Sequence, residues 1–255
     1  MDATTVEQLA TGWEDTALSD DTLSLAGWRA MADRAAGWAQ AAGGRVRREP
    51  GLTLVDAGSP CPFLNLAYST GLLDLDQAAV ISGFFPAGLP FVLMSPNPTP
   101  DLRPAGLDLM GHPPYLVRPA GGAAPALPSG VTVTEVRDAA DLAVWDRLLA
   151  AGFPTPASPA PPALLGSPTR FWLGWADGEP VATAMSYAGH GLVNVEAVAT
   201  LPEYRGRGIG AAVTWAATMA EPTRPAVLIS SDDGIGIYRR MGYLPLTRWT
   251  LWVRP

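Results

Sequence analysis

Between residues 22 and 42 the apolar positions are Leu23, Leu25, Trp28, Met31, Ala35, Trp38 and Ala39. That spacing predicts a helix with one buried face, stopped by Gly43-Gly44. The rhythm then shortens. Residues 45–56 predict a strand or a hairpin turning at Pro50-Gly51, and 63–68 a strand. Residues 74–85 predict a helix capped by Asp74, 91–94 a short apolar strand, 101–110 a helix stopped by Gly111, and 115–117 another short strand. Pattern gives way to Pro, Gly and Ala over 119–130, which predicts a linker.

Beyond it, 131–136 predicts a strand and 138–151 a helix, with Asp138 as N-cap and Gly152 as its stop. Residues 154–168 are too rich in proline for a regular helix. Strands follow at 171–175 and 180–188, joined by an Asp177-Gly178 turn, and at 192–200. Residues 210–220 predict a helix, 226–230 an apolar strand, 234–241 a short helix, and 243–253 one or two closing strands. A helix crossing between two strands implies a parallel junction, expected near Val198 and Leu228.

Length and composition narrow the class. At 255 residues two domains are expected, divided as 1–120, a linker at 121–130, and 131–255. Apolar content of 48% supports sizeable cores and argues against disorder. The net charge of −7 argues against nucleic acid or an anionic membrane as a partner and mildly favours a cationic substrate. Cys61 is the only cysteine, so no intrachain disulfide is possible and a reducing cytoplasm fits. No basic start with an apolar run marks a signal peptide, and no stretch reaches the ~18 apolar residues of a membrane span. The 27 glycines and 26 prolines, with little lysine, resemble the usage of a high-GC bacterium.

The most telling stretch is 204–211, Tyr-Arg-Gly-Arg-Gly-Ile-Gly-Ala, set between an expected strand and an expected helix. Gly206, Gly208 and Gly210 keep side chains out of a turn that opens a helix, where free N–H groups and the helix dipole attract an anion. Arg205 and Arg207 add positive charge. The spacing is neither the Gly-x-Gly-x-x-Gly dinucleotide pattern nor the Gly-x-x-x-x-Gly-Lys-Ser/Thr phosphate loop.

The segment Arg205-Gly206-Arg207-Gly208-Ile209-Gly210 resembles the Arg/Gln-x-x-Gly-x-Gly/Ala motif of the GNAT acyltransferase family. Val198-Ala199-Thr200 leads into it as in that family, and Tyr238 followed by Met241-Gly242-Tyr243 resembles the family's late tyrosine and Gly-Phe/Tyr. The resemblance covers roughly 131–255 and implies a mixed α+β fold with a central, mostly antiparallel sheet. Residues 1–119 lack the loop. Yet Met110-Gly111 followed by Leu116-Val117-Arg118-Pro119 echoes Met241-Gly242 followed by Trp252-Val253-Arg254-Pro255. A degenerate, smaller GNAT-like domain is expected there, helping to shape the acceptor pocket without binding cofactor.

What the resemblance implies about chemistry falls on named residues. Amides of Arg205, Gly206, Arg207, Gly208, Ile209, Gly210 and Ala211 would hold the pyrophosphate of acetyl-CoA. Backbone groups of Val198, Ala199 and Thr200 would meet the pantetheine arm and the thioester carbonyl. Ser231 stands where the family often has an Asn on that arm. Tyr238 would protonate the departing thiolate, since a phenol and a thiol have nearby pKa values. Glu196, two positions from Val198 and expected on the same face, is the candidate base, through water, or else a paired charge. His190 is a weaker candidate in its Gly-His-Gly turn, and Asp232 and Asp233 read as helix-capping charges. Cys61 reads as structural, Trp172 and Trp175 as core or pocket-lining, and no residue spacing calls for a metal. The expected activity is direct acetyl transfer from acetyl-CoA to the amine of a small molecule, by a monomer or a homodimer. A longer acyl group, an oxygen or sulfur acceptor, or a non-catalytic acyl-CoA-binding module are the alternatives.

Overall fold

The computed structural model describes residues 19–153 and 155–255. Ser19 caps helix α1 (Asp20–Ala41) by accepting from the Thr22 N–H, and Trp28, Met31, Ala35 and Ala39 are buried along it as their spacing predicts. Strands β1 (Arg45–Glu49) and β2 (Leu52–Asp56) form the hairpin turning at Pro50-Gly51. Pro62 starts a short 3-10 turn (Pro62–Leu64), so only β3 (Leu66–Ser69) of the expected 63–68 run is strand. Helix α2 (Leu75–Phe84) begins at Asp74 and is followed by β4 (Phe91–Ser95).

The helix expected over 101–110 does not form. A 3-10 turn at Arg103–Ala105, begun with Pro104 inside it and ended by Gly106 at φ +78, buries Leu102 and Leu107, and β5 (Asp108–Gly111) joins a sheet instead. Its partner lies about 140 residues away in the chain, so local periodicity could not show it. Strand β6 (Pro114–Arg118) is followed by a segment without helix or strand over 119–130.

The second half runs β7 (Val131–Glu135), α3 (Ala139–Gly152) capped by Asp138, β8 (Thr169–Ala176), β9 (Glu179–Gly189) and β10 (Leu192–Thr200). Then come α4 (Ile209–Thr218), β11 (Ala226–Ile229), α5 (Ile235–Arg240), β12 (Leu244–Arg248) and β13 (Thr250–Arg254). The architecture is α+β with two mixed, mostly antiparallel sheets.

The two sheets exchange strands. One has the order β1-β2-β3-β4-β13-β5, the other β12-β6-β11-β10-β9-β8-β7. From the antiparallel strands inward, each sheet has one parallel pair, bridged by α2 or α4, and then receives the other half's last strand before ending on its own edge strand. The first half thus repeats the second with one strand fewer, the order expected of a smaller copy. Both exchanged strands are inner ones and mostly buried, as apolar sequences such as Tyr115-Leu116-Val117 and Leu251-Trp252 require. Next to the exchange, Trp249 stacks on Tyr115 with centroids 5.0 Å apart, and the Trp249 backbone N–H donates to the Pro113 carbonyl at 3.1 Å. The Met-Gly echo is therefore real at its end and false at its start. The closing strands hold equivalent slots, but Met110-Gly111 lies in a strand whereas Met241-Gly242 follows a helix.

Candidate functional site

Strands β10 and β11 pair in parallel only at Val193–Ala226 and Asn194–Val227. The junction expected near Val198 and Leu228 thus lies several residues upstream, and at Val198 the strands have already parted. The cause is a bulge. Between Glu196 and Ala199 the register of β10 against β9 shifts, and Ala197 adopts φ +53, a left-handed conformation worth about 1 kcal/mol of strain for a side chain with a Cβ. The Thr183 hydroxyl holds the turned Ala197 carbonyl at 2.9 Å. The bulge also breaks the alternation that was expected to carry Glu196 and Val198 on one face.

The gap opens into a cavity of about 620 Å³ between the two halves. Val195, Glu196, Ala197 and Val198 form one wall, with Leu228–Ser231 and Tyr238 beside them. The first half adds Arg34, Trp38, Cys61, Leu66, Tyr68 and Met94, while α3 adds Trp145, Asp146, Leu149 and Ala150. Most of this lining is apolar.

Outside the gap, Gly206 and Gly208 take φ +76 and +80, which lets the chain turn sharply into α4. Gly208 is the N-cap and supplies no side-chain oxygen. Among the described residues, no acceptor meets the backbone N–H groups of residues 206–211. They form an open anion cradle at the positive end of the α4 dipole. The two arginines are engaged elsewhere. Arg205 donates to the carbonyls of Thr200 and Gly152, both at 3.1 Å, tying the end of β10 to the end of α3. Arg207 binds Asp177 at 2.9 Å and covers the Tyr204 ring. The cradle is therefore mainly backbone.

Tyr238 is held edge-on to Tyr243, centroids 6.0 Å apart, and faces the cavity. Burial raises its pKa above the ordinary phenol value, which keeps the proton on it at neutral pH. The hydroxyl of Ser231 accepts from the Gly234 N–H at 3.0 Å and stands at the cavity mouth. Ala199 is buried in the strand, and Thr200 uses its carbonyl for Arg205.

Glu196 meets a partner that sequence could not show. Arg34 of α1 forks onto it, Nη2 to Oε2 at 2.8 Å and Nε to Oε1 at 3.2 Å, and the Asn194 side-chain amide also donates to Oε1. Arg34 is 4% exposed. A buried guanidinium 162 positions away thus neutralises the carboxylate and joins α1 to β10.

His190 does not line the cavity. Its Nε2 lies 2.6 Å from Asp33, and although burial raises the Asp33 carboxyl, hydrogen bonds from His190 and Arg48 hold it below the usual range. Asp232 pairs with Arg248 at the surface. Burial pushes the Cys61 thiol up, away from the reactive thiolate. Trp172 and Trp175 donate to Ser186 and Thr134 on β9 and β7, and it is Trp38 and Trp145 that line the cavity.

Asp146 is the cavity residue that sequence reading passed over. Its Oδ1 accepts the Ala160 N–H at 2.9 Å, and burial pushes its pKa up to about 6. The signal was present: it is a lone carboxylate on a helix face otherwise formed by Leu149 and Ala150. Among the described residues no group of three or more metal-ligating side chains occurs, and no helix is long and apolar enough to cross a membrane.

Comparison with known proteins agrees with this geometry. Residues 167–245 match the family model described as the acetyltransferase (GNAT) domain. Among solved structures, a GCN5-related N-acetyltransferase from Kribbella flavida is 28% identical, with a TM-score of 0.64 over 88% of this chain and 95% of that one. A putative GNAT-family acetyltransferase from Novosphingobium aromaticivorans is 20% identical (TM-score 0.56; 82% and 89% covered). A GCN5-related N-acetyltransferase from Sphaerobacter thermophilus is 14% identical (TM-score 0.56; 90% and 92% covered). No curated protein matches the sequence significantly. The family match falls within the second half of the chain, at residues 167–245. The coverage of the Kribbella structure shows that the likeness extends through both halves.

Proposed function

We propose that the chain is an N-acetyltransferase that moves the acetyl group of acetyl-CoA directly to the amine of a small molecule. The observation that carries this reading is the uncapped start of α4 beside a β10–β11 gap that leads into an interdomain cavity. The catalytic unit is 131–255, completed by β6 from the unit at 1–120 across the 121–130 linker. Amides of residues 206–211 hold the pyrophosphate, the expected Arg205 N–H being already given to the Pro202 carbonyl at 3.3 Å, and the parted edge of β10 from Val198 to Thr200 receives the pantetheine arm, with Ser231 at its side.

The amine nitrogen attacks the thioester carbonyl, the C–N bond forms and the C–S bond breaks. Tyr238 gives its proton to the departing sulfur. The amine nitrogen gives up two protons. One passes through water held at Glu196 to solvent, and the other restores Tyr238. The Arg34 fork fixes the direction of Glu196 for that water. The lone buried Cys61 is compatible with a reducing cytoplasm.

Isothermal titration with acetyl-CoA tests the reading. Binding near one equivalent is expected, followed by release of CoA thiol in the presence of an accepted amine. Absence of binding to folded protein overturns it. The apolar cavity favours a second reading, a longer acyl donor, which a comparison of acetyl-CoA with octanoyl-CoA separates.

A further inference from the structure

Helix α3 turns one face to the cavity through Asp146, Leu149 and Ala150, the i, i+3, i+4 spacing of a single stripe, and its extended C-cap Phe153 continues the lining. Three of the four are apolar. Around them stand Trp38, Phe63 and Trp145, and Phe63 packs edge-on against Phe153 with centroids 6.0 Å apart. Into this apolar chamber Asp146 brings a carboxyl group whose Oδ1 anchors the 155–160 loop through Ala160. No cation pairs with it among the described residues.

The other charges of the wall are compensated. Glu196 is neutralised by Arg34, and Asp232 by Arg248. His112 shares a hydrogen bond with Thr250 at 3.2 Å, and Tyr68, Tyr238 and Cys61 are held in their neutral forms by burial. One uncompensated negative charge is therefore left in surroundings of low polarity, where an ammonium ion gains far more than it would at the surface.

Resting on the acetyl-transfer reading above, we propose that Asp146 anchors the ammonium group of the acceptor. The acceptors are primary amines on a compact aromatic or aliphatic body that bears no carboxylate. The body lies against Trp38, Trp145 and the Phe63–Phe153 pair, while the nitrogen is held by Asp146 in the same cavity that the β10 wall lines. A carboxylate on the substrate would face Asp146 with like charge and no free cation, because Arg34 is already committed to Glu196.

Calorimetric titration with 2-phenylethylamine, 2-phenylethanol and phenylalanine, with and without CoA, tests the proposal. The amine is expected to bind at least tenfold more tightly than the isosteric alcohol and than the amino acid. Asp146→Asn keeps an oxygen for the Ala160 N–H and is expected to erase the difference between amine and alcohol. Equal affinities in the parent protein, no amine binding with or without CoA, tighter binding of phenylalanine, or an unchanged preference in a folded Asp146→Asn variant each overturn it. If that variant does not fold, the amine–alcohol comparison in the parent decides. Acetyl-CoA titrated into the same samples separates the two readings. Amine preference without acetyl-CoA binding sinks the transferase reading alone, and acetyl-CoA binding without amine preference sinks the anchor alone.

Discussion

Helices α2 and α4 hold the same place in the two sheets, each crossing between the strands of a parallel pair. Their first turns differ. At α2, Asp74 accepts from the Gln77 N–H at 2.7 Å while the Gln77 side chain returns a bond to the Asp74 N–H, a closed capping box. At α4, Gly208 offers nothing and the first N–H groups stay free. The strands differ in the same sense. β3 and β4 keep three register pairs, from Leu66–Val92 to Tyr68–Met94, while β10 and β11 keep two and then part at the Ala197 bulge. One topology thus yields a filled end and an open one. A binding site arises where the chain leaves its own polar groups without internal partners, and it closes where a side chain supplies them.

The sharpest way to break this comparison is to move the cap. Gly208→Asp places a carboxylate, in a strained left-handed conformation, where the pyrophosphate is expected. Acetyl-CoA affinity should fall at least about a hundredfold, near 2.7 kcal/mol, by calorimetry, with the circular dichroism spectrum retained. Unchanged affinity would mean that α4 is not the anion site. Tyr238→Phe should lower kcat by about a hundredfold while leaving acetyl-CoA affinity alone. A variant with full turnover removes the phenol from the reaction.

The converse experiment is smaller. Asp74→Ala should cost about 1 kcal/mol in urea unfolding and leave acetyl-CoA stoichiometry unchanged. A second equivalent bound would show that the cap alone had closed the first half. The smallest effect concerns Asp146. Its pKa stands at about 6 against an ordinary 3.8, so between those values the folded chain holds a proton that the unfolded chain has lost. Stability therefore falls as pH rises through that window, and the loss is complete above about 6. Asp146→Asn should be slightly more stable than the parent at pH 7, with the advantage vanishing towards pH 4. Melting temperatures at the two values check this, and an advantage that grows towards pH 4 would contradict it.

Much of this was readable in the chain. Helices α1 to α5 announce themselves by apolar spacing and by caps such as Asp74 and Asp138, because both signals act within a few residues. The 204–211 loop was legible because glycine conformation is a local property. The strand β5 was misread because Asp108, Leu109 and Gly111 owe their conformation to a distant strand. Glu196 was seen as either base or ion-pair partner, but Arg34 lies on a helix whose proximity to β10 no local pattern encodes. Asp146 was passed over because a single carboxylate on a helix is ordinarily a solvated one.

By itself, the sequence determined most helices and strands, β5 excepted, where the anion-binding turn lies, and which tyrosine follows it. Only the tertiary structure decided that β6 and β13 trade sheets, that β10 opens at Ala197, that Arg34 occupies Glu196, and that Asp146 is left without a cation in an apolar chamber. The division has a physical basis. Helix periodicity, caps and turns are settled by interactions a few residues long, whereas strand exchange and the desolvation of a charge depend on surfaces brought together from over a hundred positions apart.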